Sequence, residues 1–134
     1  MSAFKRAFAQ ATARYGRFGH AAHLYVVWTL LRESPTLNAL AELRSGLRAL
    51  AADLGVPEKY HETQTVAWTL LVLERLDKEE VWAAFETRNP DLFDAGLLGR
   101  YYPPDVLGRA GARAGFMVPL PSWERDEEGG VGTI

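Results

Sequence analysis

The chain has three histidines, each near the start of a strongly apolar stretch, and they fall into two groups. His20 and His23 are three residues apart, which on a helix places both imidazoles on one face, about one turn from each other. His61 opens the second stretch. Imidazole nitrogens completed by a carboxylate oxygen or a water bind zinc, and iron or nickel accept the same donors. The pattern predicts a divalent-metal site (zinc, iron or nickel) with His20, His23 and His61 as ligands.

Glu62 is the candidate catalytic group, either as a fourth ligand or as a general base for water activated by the metal. Adjacent residues diverge by about 100° on a regular helix, so His61 and Glu62 bind one ion only if the first turn is irregular. Arg17 and Arg100 are candidates for holding an anionic group, and Tyr101 for lining the pocket. The metal hypothesis predicts hydrolysis or group transfer on a small molecule, with no substrate class specified.

Two other interpretations stay open, so the sequence does not decide whether the protein is an enzyme. In the first, the histidines are structural caps and the protein is an interaction module. The apolar residues Phe4, Phe8 and Tyr15 of the first helix would then contact a partner or a second copy, which predicts a possible homodimer. In the second, arginines and helix ends bind a small anionic metabolite without a metal.

The elements that must position these residues all have helical periodicity, and no stretch alternates long enough for a strand. The sequence predicts an all-α fold, a compact single-domain bundle of about five to six helices over residues 1–121. Residues 122–134 form an acidic, glycine-rich tail that we expect to be flexible. The predicted helices are 4–15, 20–32, 35–54, about 60–76, 77–88 and shorter turns near 91–98 and 104–115.

Local signals set the expected helix ends. Ser34 is the predicted N-cap of the third helix, with Pro35 as its first residue, and Gly55 is its stop. Asp77 and Glu80 have the spacing of a capping box for the fifth helix. The apolar face of the third helix is predicted to be Leu37, Leu40, Leu43, Leu47, Leu50 and Leu54.

Short connections normally join antiparallel neighbours, so the second and fourth helices should point the same way. Their first turns then lie at one end of the bundle, and His20, His23, His61 and Glu62 become neighbours. The segment Arg100 to Tyr102 is expected to return to that end.

Composition limits the function classes. The 134 residues carry a net charge of −2, which gives no field for gathering nucleic acid, so nucleic-acid binding is not expected. The chain has no cysteine, which excludes disulfides and zinc–thiolate sites. Apolar runs are too short for a bilayer-spanning helix and no signal peptide is recognisable, so we expect no membrane association and a cytoplasmic location.

Two motifs resemble those of an uncharacterised family of small bacterial proteins. Residues 18–24 read Phe-Gly-His-Ala-Ala-His-Leu and residues 60–65 read Tyr-His-Glu-Thr-Gln-Thr. The family patterns are Phe-x-His-x-x-His-Leu and Tyr-His-Glu-Thr-x-Thr, and the resemblance covers about residues 18 to 121. It implies a bacterial origin and draws attention to the histidines and Glu62, but it brings no activity, substrate or cofactor.

Overall fold

The computed structural model describes residues 1–119, and every regular element in that range is helical. The predicted all-α class is therefore confirmed, while the predicted tail at 122–134 lies outside the described residues. The α-helices are α1 (Ala3–Tyr15), α2 (His20–Glu33), α3 (Thr36–Asp53), α4 (Glu62–Arg75), α5 (Trp82–Arg88), α6 (Pro104–Leu107) and α7 (Ala110–Ala114). Short 3₁₀ helices cover Pro57–Lys59, Pro90–Phe93 and Ala95–Arg100.

Helix α2 lies in the middle of the bundle, packed against α1, α3 and α4. Its apolar run is buried almost all round, which explains why it has no polar face. Trp28 of α2 packs against Trp82 and Phe85 of α5 in an aromatic cluster. None of the helices within residues 1–119 has the length and apolar character needed to cross a membrane.

Two predicted helix starts are wrong. Ser34 ends α2, and Pro35, which has no side chain that can accept a hydrogen bond, occupies the N-cap of α3. Asp77 does bind the backbone N–H of Glu79, but the result is a turn, and α5 begins only at Trp82. The same sequence pattern is compatible with a turn, because an Asp side chain can accept a hydrogen bond from the backbone N–H two residues further along the chain.

The aromatic side chains of α1 pack against the core of the molecule. Phe4 is buried, Phe8 packs against Phe4 and Phe18, and the Tyr15 hydroxyl accepts a hydrogen bond from Trp82 Nε1 at 2.8 Å. The residues proposed for a homodimer are thus engaged with the chain's own core. This arrangement counts against a dimer formed through them.

The buried face of α3 differs from the predicted leucine stripe. Leu37 and Leu54 are exposed, whereas Ala39, Leu43 and Ala51 are buried. One small residue of α3 lets α1 approach closely. At Gly46, an added methyl carbon would lie 2.2 Å from the ring of Phe4.

We therefore expect Gly46→Ala to destabilise the protein, although alanine is normally favoured over glycine in a helix by about 1 kcal/mol. Overpacking against Phe4 should lower the free energy of unfolding by about 1–3 kcal/mol in urea denaturation. Ser45→Ala, on the exposed neighbouring position, is the matched control and should be neutral. Adding Phe4→Ala to Gly46→Ala should show strong non-additivity, and simple additivity would contradict this packing argument.

Candidate functional site: the histidine pocket

A cavity of about 390 Å³ lies between the start of α2, the C-terminal half of α3 and the start of α4. All three histidines line it, so the predicted meeting of the first turns of α2 and α4 is confirmed. Leu47, Leu50 and Trp68 supply apolar wall, while the side chains of Lys59 and Gln64 add polar groups. We call this cavity the histidine pocket.

His61 is the N-cap of α4, and both of its ring nitrogens are hydrogen-bonded. Nε2 lies 2.7 Å from the Leu107 carbonyl oxygen, so it must carry a proton, and Nδ1 accepts from the Gln64 backbone N–H at 3.1 Å. The imidazole is thus neutral and joins the first turn of α4 to the end of α6. Binding a metal at His61 would require one of these bonds to break.

His20 is fixed from one side only. Its Nε2 donates to the Leu92 carbonyl oxygen at 2.8 Å, and its ring packs against Trp68 with a centroid distance of 4.5 Å. Nδ1 has no hydrogen-bond partner among residues 1–119. In the neutral ring this nitrogen is an acceptor that the described part of the chain leaves unused.

His23 is the most conspicuous polar group of the pocket. Its ring meets Phe18 edge-on and makes no hydrogen bond within residues 1–119. Burial, reinforced by the nearby His20, lowers the pKa of His23 to about 4. Near pH 7 the ring is therefore neutral and offers one donor and one acceptor to whatever enters the pocket.

Glu62 does not line the pocket. Its carboxylate accepts from Arg44 Nε at 2.8 Å and from the Tyr60 hydroxyl at 2.6 Å, and Arg48 lies 3.6 Å away. Burial alone would raise the pKa of Glu62, but the hydrogen bonds from Tyr60 and Arg44 outweigh it, and the pKa is lowered. A carboxylate held this way is a weak base, and it ties α4 to α3.

The predicted ligand-binding residues are dispersed. Arg17 is exposed but its guanidinium lies against Gly19, a residue of the pocket wall. Arg100 is exposed and does not line the pocket. Tyr101 lines a separate apolar cavity of about 110 Å³ beside Leu70 and Leu98. In the segment from Arg100 to Tyr102, which was expected near the histidines, Tyr102 is linked to the first turn of α4. Its hydroxyl donates to the Met117 carbonyl oxygen, and the Met117 N–H donates to the Thr63 hydroxyl.

Within residues 1–119, no three His, Asp or Glu side chains form a group suited to hold a metal ion. The three histidines share one cavity. However, both ring nitrogens of His61 are hydrogen-bonded, and the Glu62 carboxylate is paired with Arg44 and Arg48. What the arrangement offers chemically is two imidazoles, those of His20 and His23, in a largely apolar wall. Such a site binds and orients a small molecule through a few hydrogen bonds.

Sequence reasoning did not find the contributions of Lys59, Gln64 and the leucines at the end of α3. Lys59 stands next to the Tyr60–His61 motif, and Gln64 belongs to the motif itself. The local signal was therefore present, but an exposed lysine and a helical glutamine are too common to be singled out. The spacing of the α3 leucines predicts one apolar face, and it does not indicate that part of this face borders a cavity.

No protein-family model matches this chain, and neither a curated protein nor a solved structure matches it.

Proposed function

We propose that this protein binds a small, largely apolar molecule in the histidine pocket, with His23 as the group that orients it. The observation that carries the proposal is the His23 imidazole, which lies in an apolar wall without a hydrogen-bond partner among residues 1–119. The ring is only partly buried and its nitrogens are open to the cavity, so a ligand can pair with them without breaking any hydrogen bond within residues 1–119.

The size and lining of the pocket support the same proposal. Its volume of about 390 Å³ lies in the range of about 300–1,000 Å³ that is usual for small-molecule sites. Leucines of α3 and Trp68 offer contact area for an apolar body. His20 Nδ1 and the Gln64 amide are further polar groups that could fix its orientation.

A metal site is the second candidate, favoured by the proximity of two imidazoles three residues apart on α2. It would use His20 and His23, with the remaining positions filled by water or by a ligand. The arrangement supports this candidate less well, because His61 would have to give up a bond and Glu62 would have to leave Arg44. Without a positioned base, metal-dependent hydrolysis has less support than binding.

The proposal is tested by screening small neutral fragments against protein with ¹³C-labelled histidine rings. Fragments that bind should shift the His23 ring signals in two-dimensional NMR. His23→Leu puts an apolar side chain of similar size in place of the imidazole. It should weaken the best hits about tenfold, the effect of losing one hydrogen bond, as measured from the ring signals of His20, which also lines the pocket. Asn38→Leu, an exposed change elsewhere on α3, is the matched control.

A screen in which no fragment moves the His23 signals would contradict the proposal. Adding zinc, iron or nickel to the same sample distinguishes the second candidate. Stoichiometric binding of an added metal that is abolished in both His20→Ala and His23→Ala would favour the metal site. Binding of fragments with no uptake of metal would favour the metal-free pocket.

A further inference from the structure

The charged side chain that lines the histidine pocket is positive. Within residues 1–119, Lys59 is the only lining residue with a charge other than the titratable histidines, and no Asp or Glu of this range is among the lining residues. Arg17 adds a second cation, since its guanidinium carbon would lie 3.1 Å from a methyl group placed on the pocket residue Gly19. Glu62, the nearest carboxylate in sequence to the pocket histidines, is already neutralised by Arg44 and Arg48.

Neither of these two cations is paired within the described chain. The Lys59 ammonium and the Arg17 guanidinium have no ion-pair or hydrogen-bond partner among residues 1–119. Arg17 also lies at the start of α2, where Gly19 provides no side-chain cap. Because Arg17 also directly follows Gly16, the C-cap of α1, its charge lies between the negative end of one helix and the positive end of the next.

The interior of the pocket has the opposite character. Beyond the polar edges of the three histidines, Tyr60, Gln64 and Thr65, the walls are formed by leucines, Ala51, Val56, Phe18 and Trp68. Contact with this surface does not stabilise a fully hydrated ion. An apolar group, in contrast, is stabilised there because its surface is removed from water. The two halves of the site therefore call for a molecule with an apolar body and one anionic end.

We propose that the ligand of the histidine pocket is a small organic anion. Its apolar body lies against Trp68 and the α3 leucines, and its carboxylate or phosphate lies at the mouth, on the side of Lys59 and Arg17. This inference rests on the proposed binding function and adds the chemical class of the ligand. His23 then contacts the body or the head group inside the pocket, and the cations at the mouth select charge.

The test compares three probes of one shape: benzoate, phenyl phosphate and uncharged benzamide, titrated into the full chain and followed by the His23 ring signals. The wild type should bind an anionic probe at least about fivefold more tightly than benzamide, as expected for about 1 kcal/mol from exposed charges. The variant Arg17→Gln/Lys59→Gln should lose this preference while its benzamide affinity is unchanged. Both residues are exposed, so the variant should fold.

Lys78→Gln, which removes a positive charge far from the pocket, is the matched control and should keep the preference. Added salt should weaken the anionic probes and leave benzamide unaffected. Which anion binds more tightly distinguishes a carboxylate head group from a phosphate one. Benzamide binding without any preference for an anion, or a preference that survives in the double variant, overturns the inference but leaves the binding function. If no probe moves the His23 signals, both are wrong.

Discussion

His61→Ala is expected to lower the free energy of unfolding by about 3–4 kcal/mol, the largest effect of any single histidine. Loss of the cap on Gln64 N–H contributes about 1 kcal/mol, and loss of the bond to the Leu107 carbonyl about 1 kcal/mol. Removing a buried ring and leaving space behind it adds about 1–2 kcal/mol. Urea denaturation with linear extrapolation measures the sum.

His61→Asn separates the two roles of this side chain. Asparagine is among the best N-cap residues, so it should restore the bond to Gln64 N–H, but it is too short to reach Leu107. We expect it to recover about 1 kcal/mol of the loss. If His61 instead held a metal, asparagine would recover little and a chelator would destabilise the wild type. A loss below about 1 kcal/mol in His61→Ala would contradict the capping role.

The helices and the meeting of the histidines were predictable because they follow from periodicity and loop length. The apolar runs of α2 and α4 are long enough to fix the element type, and short connections fix their directions. Chemistry within the shared pocket was not predictable. Whether a ring nitrogen of His61 meets a metal, a carbonyl or a backbone N–H depends on side chains and carbonyls 46 residues away.

The role of Glu62 shows the same limit more clearly. Its position in the motif next to His61 suggested a ligand or a base, and nothing in the local sequence points to Arg44, which lies on another helix. Similarly, the leucine spacing of α3 indicated one face, but Leu37 and Leu54 at its ends are exposed, and it is Gly46 that Phe4 of α1 approaches closely. Where a small residue allows close packing depends on the partner helix. The periodicity of one helix carries no information about which helix packs against it.

Glu62→Gln should lower the free energy of unfolding by about 2–3 kcal/mol at neutral pH, since it removes the buried carboxylate from a hydrogen-bonded charge cluster. The glutamine oxygen can still accept the hydrogen bond from the Tyr60 hydroxyl. The amide NH₂ would then face Arg44 Nε–H, and two donors cannot form a hydrogen bond with each other. Arg44 and Arg48 are partly exposed and can turn to water, which keeps the cost below that of a fully buried pair.

The effect should also depend on pH in a defined direction. Because the folded-state pKa of Glu62 lies below its ordinary value of 4.5, the stabilisation is present above that value and is lost as pH falls through the lower, folded pKa. The difference between wild type and Glu62→Gln should therefore shrink in acid. Glu79→Gln, an exposed carboxylate outside these ion pairs, is the control and should differ little from wild type. A difference that stays constant from neutral to acid pH would show that the charge of Glu62 does not stabilise the junction of α3 and α4.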